Sequence, residues 1–255
     1  PLSRIHRALA ASESRLRPAT CVRIACDVLA GLHHAHELRD FDGTPLRVIH
    51  RDVSPHNVFV TYEGQVKLLD FGIAKAERSS AKTQPGWLKG KYAYMAPEQF
   101  VDDDIDRRVD VFTTAIILWE LLAGRSLFGG GTEAMVVRRL LQEPIPRLSA
   151  VVPDADPRLD EILARALDRD KARRFPTALA MREELAAWLA EHTPEVEDLG
   201  RVVSRAFAEA RDEVERQVAE QLGGSVRLPS ASFPELDVPS VASLKSATPA
   251  ASIGP

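Results

Sequence analysis

Cysteine is almost absent from this chain, with two in 255 residues. Cys21 and Cys26 stand on one expected helix and point to different faces. They make neither a plausible disulfide nor a metal pair, which excludes a disulfide scaffold and fits a reducing compartment. Long apolar runs are also missing. The longest, Val111 to Trp119, is too short to span a bilayer, which takes about 20 residues. Positive charge is not concentrated anywhere: the net charge is -4, the pI is near 6.0, and no Lys/Arg cluster signals nucleic acid. No Gly-x-Gly-x-x-Gly occurs, so these residues hold no glycine-rich phosphate cradle. The run Gly129-Gly130-Gly131 reads as a plain loop. No leader sequence is visible, and with Pro1 as first residue nothing follows from that. No internal repeat is visible either.

What is present is mostly helical periodicity. Apolar residues at Val22, Ala25, Cys26, Leu29 and Leu32 predict a helix over 19–36. His33, His34 and His36 crowd its end, where partly cationic rings suit the negative end of the helix dipole; metal binding is the alternative. Asp42-Gly43 signals a turn in the loop that follows. Residues 108–123 are apolar almost all round and predict a buried helix. Further helices are expected over 132–142, 157–167 and 177–190. Val58-Phe59-Val60 and Val66-Lys67-Leu68-Leu69 read as two short strands turned by Glu63-Gly64. Val196, Leu199, Val203, Phe207, Ala210, Val214, Val218 and Leu222 recur at helical spacing and predict an amphipathic helix, packed on the domain or forming a coiled-coil seam. The last residues, rich in Ser, Pro and Ala, read as a disordered linker.

The chemistry lies in three elements taken in order. His50-Arg51-Asp52-Val53-Ser54-Pro55-His56-Asn57 comes first, then Asp70-Phe71-Gly72, then Ala96-Pro97-Glu98. Together they resemble the catalytic loop, magnesium loop and activation-segment end of a protein kinase. The variations Ser-Pro-His-Asn and Gly-Lys-Tyr-Ala-Tyr give the resemblance a bacterial, Hanks-type (eukaryotic-like) serine/threonine flavour. It covers Pro1 to Ala190, about three quarters of the chain. The fold class it implies is α+β, mainly α-helical: a kinase-like C-terminal lobe whose short β-hairpin carries the catalytic and magnesium loops. The expected organisation is a lobe over 1–190, an amphipathic helical extension over 191–222 and the linker over 223–255. With no glycine-rich loop and no strand lysine before His50, the N-terminal lobe is expected to be missing.

Phosphoryl transfer asks little covalent chemistry of the protein; it needs a positioned hydroxyl and neutralised phosphate charge. The resemblance implies Asp52 as acceptor of the hydroxyl proton and Asn57 and Asp70 as ligands of Mg²⁺, with ATP as donor. Asn57 and Asp70 end adjacent strands, where two polar ligands can converge on one cation. Phe59, with Ile117 and Leu121, matches positions under the adenine ring. Asp110 would hold catalytic-loop backbone, and Glu98 would form a buried ion pair with Arg174, Arg173 being the competing partner. His50, Phe71 and Gly72 complete the structural support. Glu98, Asp110 and Arg174 separate this pattern from small-molecule phosphotransferases, which share the catalytic loop alone, and so argue for a protein acceptor. Pro55 inside the loop resembles Ser/Thr rather than Tyr kinases, which makes Ser/Thr the expected acceptors.

Two departures from the family pattern stand out. The usual lysine two residues after the catalytic aspartate is Ser54, and the usual threonine after Gly90 is Lys91. The expectation is an exchange, with Lys91 supplying the cation near the γ-phosphate and Ser54 the hydroxyl. Arg51 resembles kinases whose arginine receives an activation-loop phosphate, since guanidinium binds phosphate bidentately. The available acceptors are Thr83, Ser79 and Ser80. The resemblance implies a cytoplasmic serine/threonine kinase in signalling, its parent anchored in a membrane only through a segment outside this chain, with a homodimer through the lobe or the C-terminal helix left open. The alternative is an inactive kinase-like scaffold.

Overall fold

The structure, a computed structural model, describes residues 1–71, 91–101 and 104–223. Two units separate, Pro1–Ala208 and Glu209–Pro255. The first is built on three helices that bury most of their surface. α2 (Pro18–His36) starts with proline in its first turn, where no backbone N–H is needed, and buries Cys21, Val22, Ile24, Ala25, Val28, Leu29 and Leu32. α4 (Arg108–Ala123) is buried on every side, as its nearly continuous apolar sequence requires. Its Thr113 and Thr114 hydroxyls donate to the carbonyls of Val109 and Asp110, so neither is buried unsatisfied. Gly124 ends it at φ +68, a left-handed conformation that glycine takes without strain. α7 (Ala178–Glu191) packs on both α2 and α4. The Cys21 and Cys26 thiols are free and buried in this core; burial pushes them up to about 12 and about 11, so they are inert packing groups.

Around this core lie α1 (Leu2–Ala11), α3 (Glu98–Val101), α5 (Glu133–Gln142) and α6 (Pro157–Ala166). The threonines expected to open two helices sit one residue outside them as caps: Thr132 accepts from Met135 N–H and Thr177 from Ala180 N–H. The two strands, β1 (Val58–Val60) and β2 (Val66–Leu68), pair antiparallel with Val58 opposite Leu68 and Val60 opposite Val66. Their turn closes through Gly64 N–H to the Thr61 carbonyl at 3.0 Å, with Gly64 at φ +78.

The extension divides where the sequence predicts one helix. α8 (Leu199–Ala206) packs on the first unit and ends at Phe207, whose backbone leaves the helical region at φ -129. α9 (Ala208–Gly223) then begins afresh, with Val214 and Val218 exposed. The physical reason is that Leu199, Val202 and Val203 gain burial against the lobe, a pull the shared periodicity does not reveal. Gly72, Ser79, Ser80, Thr83 and the linker beyond Gly223 lie outside the described residues.

One ion pair ties α3 to the rest. Arg174 is buried and meets Glu98 through two bonds, at 2.7 and 2.9 Å. Its remaining N–H groups donate to the carbonyls of Arg108, Asp168 and Arg169, so all five are used, and the guanidinium lies 4.6 Å from the Phe112 ring centre. Arg173, the competing candidate, has a side chain 74% exposed and lies 3.9 Å from Asp168 and 3.7 Å from Asp170. Breaking the pair from one side leaves a buried charge alone. Arg174→Met and Glu98→Gln should each destabilise the chain by about 3–5 kcal/mol in urea unfolding, and together by less than the sum. Single losses under about 0.5 kcal/mol, the range of ordinary surface substitutions, would show that the pair is not structural.

Candidate functional site

The loop from His50 to Asn57 is shaped by one buried carboxylate. Asp110, in the first turn of α4, accepts from His50 N–H at 2.9 Å and from Arg51 N–H at 2.9 Å. It also accepts a hydrogen bond from His36 Nε2–H, at 2.7 Å, from the last turn of α2. Arg51 sits at φ +61, a left-handed conformation costly for a residue with a Cβ. Its N–H is held by Asp110 and its carbonyl by the Gln99 amide at 3.3 Å, and those two bonds keep it there.

His50 is buried between elements. Its ring packs on Phe71 with centroids 4.5 Å apart, Nε2 meets the Leu69 carbonyl at 3.0 Å, and Nδ1 accepts from Asp52 N–H at 3.3 Å. Those partners assign the neutral ring with its proton on Nε2. Burial lowers its pKa below the usual histidine value, outweighing the pull of Asp110.

Asp52 follows on the exposed side of the loop. Lys91 Nζ lies 2.9 Å from one of its carboxylate oxygens and 3.0 Å from the other. The Asn57 amide donates to the Asp52 carbonyl at 2.8 Å, which fixes Asn57 and leaves its Oδ1 as the open ligand atom. Leu69 N–H donates to the Asn57 carbonyl at 2.9 Å, so Asp70 follows directly at the same end of the hairpin. Asp70 is exposed at φ +58 and makes no side-chain hydrogen bond among the described residues. Two hard oxygen ligands fit Mg²⁺, which keeps its waters and takes phosphate oxygens rather than an all-protein cage. Among the described residues no group of three or more His, Cys, Asp or Glu gathers, which leaves the crowded α2 histidines without a metal cluster.

The structure brings Lys91 to Asp52 but not to Ser54, whose hydroxyl has no hydrogen-bond partner among the described residues. Phe59 is half-buried on β1 opposite Lys67. Ile117 and Leu121 line a cavity of about 330 Å³ beside Pro55 and His56. Its floor is a pair the sequence does not disclose. Buried Glu120 accepts from the Tyr94 hydroxyl at 2.6 Å, from Ser126 at 2.7 Å and from Leu127 N–H at 2.8 Å. Burial, then Glu120, pushes the Tyr94 phenol far above its usual range, so it stays a hydrogen-bond donor. His36 is the other functional residue missed; its position at a helix end beside two more histidines disguises it.

With that geometry in view, the comparisons agree. Residues 3–186 match the family described as protein kinase domain. The chain is 43% identical over 171 residues to "Tyrosine-protein kinase MasK" of Myxococcus xanthus, covering 67% of this chain and 26% of that protein. It is 34% identical over 181 residues to "Serine/threonine-protein kinase PknL" of Mycobacterium tuberculosis, covering 71% and 43%. To "Serine/threonine-protein kinase PknD" of the same species it is 35% identical over 173 residues, covering 68% and 25%. The chain spans less than half the length of each of these relatives.

The buried His50 ring makes stability depend on pH. The unfolded chain accepts a proton below about 6.5 and the folded chain resists it, so the contribution is whole above that value and is lost as pH falls through the lowered folded one. The melting temperature should therefore drop as pH falls below about 6.5, and His50→Phe should flatten that drop. Parallel profiles for the two proteins would rule the ring out as the cause.

Proposed function

The chain belongs to the protein kinase domain family, and on that footing we propose that it serves to move the γ-phosphate of ATP to Ser and Thr hydroxyls of protein substrates. The observation that carries the proposal is the Asp52 carboxylate, held by the Lys91 ammonium at 2.9 Å on a loop whose backbone is pinned to Asp110. Asn57 and Asp70 would hold Mg²⁺, whose charge would offset that of the ATP phosphates. Asp52 takes the acceptor's hydroxyl proton as the oxygen attacks. Lys91 sits where negative charge develops and stabilises it, the part usually played by a catalytic-loop lysine. Glu120 and Tyr94 tie the segment after Lys91 to α4, so the ammonium is presented from a fixed base. ATP as donor and two free thiols support a cytoplasmic site of action.

A second reading has tyrosine as acceptor, and the 43% identical relative named a tyrosine-protein kinase favours it. Acceptor analysis separates the two. ATP/Mg²⁺ phosphotransfer to a general protein acceptor should be measured with this chain and with the full-length product of its reading frame. Phosphoserine and phosphothreonine, lost by about 10²–10⁴-fold in Asp52→Asn, are the expected products. Phosphotyrosine alone would select the second reading. No transfer by either protein, with the fold intact, would leave a non-catalytic scaffold.

The exchange at Ser54 and Lys91 has its own test. Lys91→Thr should lower the rate at least tenfold, and adding Ser54→Lys should recover most of it. Losses that merely add would mean that the two positions do not compensate each other.

A further inference from the structure

α8 begins 13 residues beyond the end of the kinase-family match at residue 186, yet it is built into the lobe. Leu199, Val202 and Val203 are buried in the common core or at its edge. Asp198 caps the helix by accepting from Arg201 N–H at 3.1 Å. The residue before it is tied twice to α2: Glu197 N–H donates to the Thr20 hydroxyl at 2.9 Å, and Arg17 N–H donates to the Glu197 carboxylate at 2.9 Å. At the other end, the Arg4 guanidinium of α1 lies 5.5 Å from the Phe207 ring centre.

What α8 leans on is the turn between β1 and β2, and the approach is backbone to backbone. A Cβ on Gly200 would stand 2.5 Å from the Tyr62 carbonyl oxygen, and one on Gly64 would stand 2.9 Å from the Gly200 nitrogen. Neither neighbour is a side-chain tip that could swing aside, so the crossing requires glycine on both chains. α8 also packs on α1, whose Ser3 N–H donates to the Pro55 carbonyl of the catalytic loop at 2.9 Å. One helix outside the family match therefore touches both neighbours of that loop. The hairpin has three residues per strand, too few for a two-stranded ribbon to hold its own shape.

We propose that α8 is a positioning brace for the phosphotransfer site: the Gly200–Gly64 crossing sets the β1–β2 hairpin, and with it the spacing of Asn57 and Asp70 at the opposite end. The consequence for catalysis rests on the kinase reading; the mechanics rest on the geometry alone. Gly200→Ala drives the crossing apart, and Leu199→Ala loosens it without a clash, so a variant remains if the first fails to fold. Both should speed amide exchange at Thr61 and Leu69 roughly tenfold while leaving Gly124 at the end of α4 unchanged. In the full-length product, both should raise the KM for Mg·ATP several-fold, more than they lower kcat. Wild-type exchange in folded variants would overturn the brace. Faster exchange with an unchanged KM would overturn its role in positioning. Should the wild type transfer no phosphate, that failure belongs to the kinase reading, and hairpin exchange alone still decides the brace.

Discussion

The carboxylate of Asp110 is the constraint on which the rest of the site depends. A fully buried carboxylate is tolerated only where donors replace its water, and here three do so from two directions. Two of them are consecutive backbone N–H groups, and to present both to one carboxylate the chain must turn sharply. Arg51 supplies that turn by entering the left-handed region, at a cost of about 1–3 kcal/mol. The strain is held in place because release would strand Asp110. Asp52 is the next residue, so the course of its backbone is set by this arrangement. The third donor, His36, fastens the same carboxylate to α2, so the two largest helices of the core and the catalytic loop meet at one group.

The buried ion pair works differently. Glu98–Arg174 uses all five guanidinium donors and both carboxylate oxygens, and three of those donors reach main-chain carbonyls of α4 and the segment after α6. The pair anchors α3, and through Gln99 it reaches the Arg51 carbonyl. The two anchors are therefore coupled: one holds the N–H of Arg51 and the other holds the neighbourhood of its C=O. Lys91 enters between them, seven residues before Glu98, on a segment fixed again by Tyr94 to Glu120. Such a frame suits a reaction whose demand is positioning rather than covalent chemistry.

Much of this was legible in the sequence because it is local or because its residue types are restrictive. The periodicity of α2 and the uniform apolarity of α4 predict both helices within a residue or two of their ends. The choice of Arg174 over its neighbour follows from its place before Phe175, which is buried beside it. What was hidden joins residues far apart with ordinary side chains. His36 and Asp110 are separated by 74 positions, and nothing in a row of three helix-end histidines marks the one that turns inward. Tyr94 and Glu120 look like a loop aromatic and a helix charge until they are seen buried together. The break at Phe207 is hidden for another reason: the apolar spacing runs through it, and only the surface offered to α8 ends it.

The pairing of Lys91 with Asp52 shows how the site tolerates an unusual arrangement of charge. An ammonium bonded to both oxygens of a carboxylate holds the two charges in one fixed geometry. Phosphoryl transfer, the reaction proposed above, asks mainly for such positioning and for charge neutralisation. On the proposed function, the same ammonium would stabilise the charge that develops on the transferred group; it is half-buried, so solvent screens it less than it would a free surface lysine. A cation brought from the segment after residue 90, rather than from the catalytic loop, also makes the charge of the site depend on where that segment sits. Position of the segment and electrostatic competence of the site are thereby joined in one side chain.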